Sequence, residues 1–213
     1  MSKQEIYFDN HSKASRFPWS LYHKPLLDDL REFLGSKINL GSKVLVIGPG
    51  DFHEFSFLKS LGAEISLLDI DPRVLEVHKR RHDKDVANFY LVDENFNGYP
   101  AETSFDVIYA KEVIEHIVDY PAFLTKIKSA LVPFGFCWLS TPNYGFFLLP
   151  FLERTVLEII ARISGFSRKN IHPSRFSEPL LKKALEEAGF EKIKTTVTPL
   201  KLALVAVGKN KAV

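Results

Sequence analysis

Glu112, Glu115 and His116 stand at i, i+3 and i+4 in the run KEVIEHI. On a helix, residues so spaced share one face. An imidazole titrates close to neutral pH, which suits it to taking a proton from an attacking group. His116 is therefore the candidate base, with Glu112 beside it and a second imidazole, His172, farther along the chain. Two carboxylates and two imidazoles are also a donor set for a divalent cation. A third reading gives these side chains no chemistry and has them buttress a helix and its pocket. We expect base catalysis, with no metal assigned.

A second constellation lies upstream. The apolar run KVLVI ends in Gly48-Pro49-Gly50. Glycine at such a turn admits positive φ and lets a ligand approach the main chain where a Cβ would block it. A dinucleotide fingerprint needs G-x-G-x-x-G, and position 53 is His. That argues against a nicotinamide or flavin dinucleotide. Asp69 ends the next strand-like run about twenty residues on, where a carboxylate can accept two hydrogen bonds from the vicinal hydroxyls of a ribose. Asp71 is the better placed of the two to cap the helix entered at Pro72. Asp93 ends the following run, where it could address an adenine edge or sit in a solvated Asp93-Glu94-Asn95 loop. As a set, Gly48, Gly50, Asp69 and Asp93 point to a nucleoside more firmly than any one of them.

These residues need a scaffold that lines up strand ends. Apolar spacing predicts a helix over Leu21–Leu34 stopping at Gly35, then a strand over Lys43–Ile47. A helix over Phe52–Leu61, a strand over Glu64–Leu68 and a helix from Pro72 follow. Strands are predicted over Val86–Val92, Phe105–Ala110 and Phe136–Ser140, with a helix over Pro121–Leu131 before the last. A helical region spans Phe151–Ile163, and another helix runs from Ser177 to Gly189 with Pro179 in its first turn. Strands over Lys192–Val197 and Leu202–Val207 close the series. Strands separated by helices imply parallel pairing, since a parallel neighbour requires a crossover. The last two, with Pro199 and Leu200 between them, imply an antiparallel hairpin. Such a sheet binds ligands at the carboxyl ends of its strands, over the switch point.

Composition narrows the class. The 213 residues are 46% hydrophobic and 25% charged, which fits one compact domain and excludes disordered and collagen-like chains. A net charge of +2, from 28 basic and 26 acidic residues, offers no field that would single out nucleic acid or a membrane surface. The 18 phenylalanines favour a large apolar pocket or interface. Cys137, the one cysteine, excludes an internal disulfide framework and a multi-cysteine zinc site. The opening MSKQEIYFDN has no apolar core of a secretion signal, so a cytoplasmic setting is expected. Pro150, Glu153, Arg154, Glu158 and Arg162 interrupt the apolar stretch from Tyr144 to Ile163, so it is not read as a membrane span.

The segments VLVIGPG, LLDIDPRVLE, FDVIYAKEVIEHI, FLTKIKSALVPFG and LSTPN resemble the successive motifs of class I S-adenosylmethionine-dependent methyltransferases. E-V-I-E-H and S-T-P-N resemble the branch that holds quinone-biosynthesis O-methyltransferases and many sugar or small-molecule methyltransferases. The resemblance covers roughly Lys43 to Asn143, and AGF at Gly189 fits it too. It implies an α/β fold: a Rossmann-like, seven-stranded, mostly parallel sheet with an antiparallel C-terminal hairpin and helices on both faces. Residues 1–213 would form one methyltransferase domain, with an N-terminal arm and helix over 1–36 and a substrate-side insertion or lid over 144–176. Gly48 and Gly50 would lie against the methionine part of S-adenosylmethionine, Asp69 on its ribose, and Asp93 and Glu94 near its adenine. Lys111 would stand beside the sulfonium, and Pro49 and Ile70 complete the cofactor set.

Two positions depart from the pattern. Family members commonly carry an acid inside strand one, where this chain has Val46, and a third glycine two residues after Gly50, where it has Phe52. The implied reaction is methylation of a small, partly apolar, lipid-like acceptor at oxygen, with His116, Glu112 and His172 as catalytic residues. Leu152, Val156, Ile159, Ile160 and Ile163 would form the apolar stripe of a lid or homodimer face, with Arg154, Glu158 and Arg162 opposite. His172 and Arg175 would face the pocket, and Trp19, Tyr22 and His23 would close it. A rival reading notes that Glu-x-x-Glu-His with His172 resembles the metal site of small-RNA 3′-end 2′-O-methyltransferases, although the near-neutral charge makes nucleic acid an unexpected partner. Another takes Val46 and Phe52 as signs of a degenerate, non-catalytic cofactor-binding or interaction domain.

Overall fold

Short β-branched runs alternate with helices along the chain, and each run becomes a strand of one sheet. The computed structural model describes residues 20–100, 105–155, 158, 162 and 171–211. Helix α1 (Ser20–Lys37) precedes β1 (Lys43–Ile47), α2 (Phe55–Ser60), β2 (Glu64–Asp69), α3 (Pro72–His82) and β3 (Val86–Leu91). Next come β4 (Phe105–Lys111), a single 3-10 turn (Ile114–His116), α4 (Tyr120–Ala130) and β5 (Leu131–Pro142). Helices α5 (Leu148–Arg154) and α6 (Glu178–Glu187) then lead to β6 (Glu191–Val197) and β7 (Ala203–Lys209).

The seven strands lie in the order β3-β2-β1-β4-β5-β7-β6. Strands β1 to β5 pair in parallel, and β7 runs antiparallel to both β5 and β6. This is the Rossmann-like sheet with a closing hairpin that the sequence implied. Strand alternation splits the core in two. Leu45 and Ile47 of β1 pack with Phe123, Leu124 and Ile127 of α4 and Leu181 and Leu185 of α6. Val44 and Val46 pack with Leu26, Leu30 and Leu34 of α1, Leu58 of α2 and Leu75 of α3. Helices therefore cover both faces.

Several boundaries differ from expectation, each for a local reason. Helix α1 does not stop at Gly35 but runs to Lys37, and the Ile38 N–H still bonds the Leu34 carbonyl at 2.9 Å as Ile38 enters the core. Helix α2 starts at Phe55 rather than Phe52, because Phe52 has φ +47, outside the right-handed helical region. Strand β5 starts early: Leu131 pairs with Phe105, the chain loops out, and Phe136 rejoins opposite Val107. Asp71 caps α3 as expected, its carboxylate accepting from the Arg73 N–H. Helix α5, Leu148–Arg154, starts three residues before the helical region expected over Phe151–Ile163 and overlaps its first four. Val156, Ile159, Ile160, Ile163, Trp19 and the rest of the N-terminal arm lie outside the described residues, as do the side chains of Leu152 and Arg154. Among the described residues no helix is long and apolar enough to cross a membrane.

Candidate active site

The strand order reverses between β1 and β4, which leaves a crevice at their carboxyl ends. Most candidate residues stand at the last residue of a strand or in the loop after it. After β1, Gly48 and Gly50 both take positive φ, +63° and +51°. They differ in their surroundings. A Cβ on Gly48 would strike Val113 Cγ2 at 2.6 Å, whereas one on Gly50 would meet nothing within 4 Å. Gly48 is thus needed for packing behind the turn, and Gly50 leaves its front open. The turn, with Pro49 between, closes on a bond from the Phe52 N–H to the Pro49 carbonyl at 2.8 Å.

Asp69 follows β2. Its Oδ1 accepts from the Asp71 N–H at 2.8 Å. Burial pushes its carboxyl up to about 6, against the lowering effect of that bond. Beside it, Ile70, Pro72, Leu91, Val92, Asp93, Glu94 and Asn97 line an open hollow of about 390 Å³. Within this group Asp93 is tied up locally. Its carboxylate accepts from the N–H groups of Asn95 and Asn97 and from Asn97 Nδ2, at 2.7–2.9 Å. The Asn97 side chain, above all, holds its carboxyl below the ordinary range.

The end of β4 overturns one expectation. Glu112, Glu115 and His116 do not share a helical face. Glu112 has φ +58, so the chain turns sharply after Lys111, and only Ile114–His116 form a 3-10 turn. The half-buried Glu112 carboxylate points instead at α1 and β5, accepting from the Tyr22 hydroxyl and, at 3.0 Å, from Ser140 Oγ. Burial raises its carboxyl, and the two hydroxyl bonds oppose that rise. Lys111 is paired with Glu54, a carboxylate only 1% exposed beneath the glycine turn.

Glu115, His116 and His172 do meet. One ligand atom from each lies within 4.8 Å of the others. Glu115 and His172 are buried and His116 is exposed. A carbonyl oxygen only accepts, so His116 Nδ1, 2.9 Å from the Ile171 carbonyl, carries a proton. His172 Nδ1 is hydrogen-bonded to the Tyr144 hydroxyl, and the two imidazoles cross with centroids 4.9 Å apart. The segment bearing His172 is fastened to the 3-10 turn by Ser174, whose N–H bonds the Glu115 carbonyl and whose Oγ bonds the Ile117 carbonyl. Arg175 lies over the Tyr144 ring at 5.2 Å. Tyr144, Ser140, Glu54 and His78 were not singled out from the sequence. Their partners are 28 or more residues away, so no local spacing announces them.

A family model for a methyltransferase domain matches residues 20–195. The chain belongs to this methyltransferase family. The mitochondrial ubiquinone biosynthesis O-methyltransferase of Schizosaccharomyces pombe is 32% identical over 126 residues, 58% of this chain and 46% of that protein. The ubiquinone biosynthesis O-methyltransferase of Xanthomonas euvesicatoria is 31% identical over 127 residues, 56% of this chain and 53% of that protein. The chain spans about half the length of these curated relatives. Among solved structures, the Haemonchus contortus phosphoethanolamine N-methyltransferase 2 complex with phosphomonomethylethanolamine and S-adenosylhomocysteine aligns with a TM-score of 0.69 at 14% identity, over 100% of this chain and 59% of that one. That likeness shows the fold alone.

The two departures from the methyltransferase pattern now have locations. Val46 is 1% exposed in the core layer under α1. Phe52 keeps the positive φ that suits the glycine common there, but its ring does not crowd the turn. It is 3% exposed and packs edge-on against Phe55, His78 and His82.

Proposed function

We propose that this chain binds S-adenosylmethionine in the crevice and transfers its methyl group to oxygen on a small, partly apolar acceptor. One observation carries the reading: the open face of Gly50 and the half-buried Asp69 carboxylate stand at the carboxyl ends of the paired parallel strands β1 and β2, and a hollow lined by Ile70, Asp93 and Glu94 opens beside Asp69. In this reading the Gly48-Pro49-Gly50 main chain holds the methionine part, Asp69 the ribose, and Ile70 and the Asp93-Glu94 loop the adenine. Asp93 shapes that loop, since its own oxygens are committed within it. Lys111 keeps its charge matched by Glu54, so it does not oppose the sulfonium.

A sulfonium is an activated donor, so the protein's work is in-line placement and removal of the acceptor's proton. His116 takes that proton at Nε2, with its ring fixed through Nδ1 by the Ile171 carbonyl. His172 orients from behind, and Glu112 braces Tyr22 and Ser140. Phe147 and Phe151, 82% and 61% exposed after β5, supply an apolar approach that supports a lipid-like acceptor.

Calorimetry with S-adenosylhomocysteine tests the cofactor half. Asp69→Ala should weaken binding by about 1.5–3 kcal/mol, the worth of a charge-assisted hydrogen-bonding group. The pH sign follows from the raised carboxyl. In the free protein, ionised Asp69 costs stability, so its contribution is present below its ordinary value and lost as pH rises through about 6. Ribose hydroxyls donate to the ionised form, so the Asp69-dependent part of the affinity should grow as pH climbs through that range. A folded Asp69→Ala protein with an unchanged dissociation constant would remove the ribose role.

A second reading has its own observation, the meeting of Glu115, His116 and His172. A carboxylate and two imidazoles suit a divalent cation that grips acceptor oxygens. Micromolar Mn²⁺ should then raise the melting temperature by several degrees, an effect that His172→Ala abolishes. With no such shift, His116 acts as a base alone.

A further inference from the structure

Beneath the glycine turn lies a group that the proposed reaction does not use. His78, on the second turn of α3, is 2% exposed. Its Nε2 is 2.7 Å from the Gly50 carbonyl, 28 residues away in the chain. A carbonyl only accepts, so Nε2 carries the proton and the neutral ring leaves Nδ1 bare. That Nδ1 is buried with no hydrogen-bond partner among the described residues. Rings enclose it: Phe52 stands edge-on at 5.6 Å and His82 is stacked at 5.8 Å.

We propose that His78 is a positioning residue for the cofactor turn, its neutral imidazole fixing the Gly50 carbonyl and releasing it on taking up a proton. This rests on the cofactor reading above. Gly50 has no side chain with which to anchor itself, and glycine at φ +51 has many alternatives. The imidazole supplies the missing anchor from below while the front of Gly50 stays open. A proton on Nδ1 would create a buried donor with nothing to donate to and a charge among aromatic rings. Around the ring, the bond to Gly50 and the Asp51 carboxylate of the turn favour a proton, and His82 and Arg81 of α3 oppose it. Burial weighs more than any of them and holds the imidazole below its ordinary value. The cheapest relief is for the ring to leave its pocket, which frees the turn.

The test uses the full chain and S-adenosylhomocysteine, with wild type, His78→Gln and His78→Leu compared from about pH 5.5 to 8. The Gln amide can donate to Gly50 from the same distance along the side chain but cannot ionise. The quantity read is the ratio of the wild-type to the His78→Gln dissociation constant, in which the titration of Asp69 cancels. The ratio should stay within about twofold of unity at pH 8 and grow by about twofold or more by pH 5.5. His78→Leu should bind about tenfold more weakly than either at pH 8. A ratio flat across the range overturns the proposal, whether or not the Leu variant folds. A ligand-free arm separates this from the cofactor reading. If wild type binds no S-adenosylhomocysteine, that reading fails, and long-range nitrogen-proton spectra with amide exchange of residues 48–52 still decide. The Nε2–H tautomer at pH 8, with protection relative to the intrinsic exchange rate that falls on acidification in wild type and not in His78→Gln, supports the anchor. An Nδ1–H tautomer, or equal exchange in the two proteins, overturns it.

Discussion

Phe52 holds a backbone conformation that costs an L residue about 1–2 kcal/mol, and its buried ring more than offsets that cost. The two contributions can be measured separately. Truncation to Ala loses the packing and keeps the strain, so Phe52→Ala should destabilise the fold by about 3–5 kcal/mol. Truncation to Gly loses the same packing but relieves φ +47. Phe52→Gly should therefore be more stable than Phe52→Ala by about 1 kcal/mol, the reverse of the usual order in regular structure. Urea unfolding of the two variants checks the sign, and an Ala variant as stable as the Gly one would mean the turn relaxes without strain. This was only half legible in the sequence. Gly48, Gly50 and Asp69 could be picked out because each follows an apolar run. The direction of the Phe52 ring could not, since it depends on His78 and His82 from α3. Glu112 shows the same limit. Its spacing to Glu115 and His116 assumed continuous helix, and one positive φ at Glu112 voids that assumption.

Helix α1 reads from its apolar spacing as a surface helix laid on the sheet, and Leu26, Leu30 and Leu34 do bury themselves as that spacing requires. What spacing could not reveal is the pair of polar ties on the same helix. Asp29 accepts from Trp138 Nε1 at 2.7 Å, and Tyr22 donates to Glu112, links across 109 and 90 residues. Together they fix both the lateral position of α1 on β5 and the end that overhangs the crevice. The Trp138 tie is the stronger constraint, because the indole is fully buried. Asp29→Ala would leave its N–H with no acceptor and should cost about 1–3 kcal/mol of unfolding free energy. It should also loosen α1 ahead of the sheet. Amide exchange would report this as faster exchange across Ser20–Lys37 with the sheet strands still protected, and uniform loss of protection would contradict it.

At the scale of the whole molecule, alternating strands and helices were enough to read a mostly parallel sheet, its closing hairpin and the edge where ligands gather. The crossover that sets strand against strand was not in that pattern, because order within a sheet depends on which faces the helices cover. The placement of β7 has a further consequence. It pairs with β5 on one side and β6 on the other, so the last strand of the sequence is an interior strand of the sheet. During synthesis β5 is made long before its neighbour on that side. Its outer row of N–H and C=O groups must wait, through α5, α6 and β6, until residue 209 has left the ribosome. For that interval the nascent chain carries an unpaired edge next to apolar Trp138 and Leu139, the kind of template on which other chains add. Strand β7 completes the interior of the sheet only after every other described strand has been made, so the rate of that step sets how long the growing chain depends on protection by chaperones.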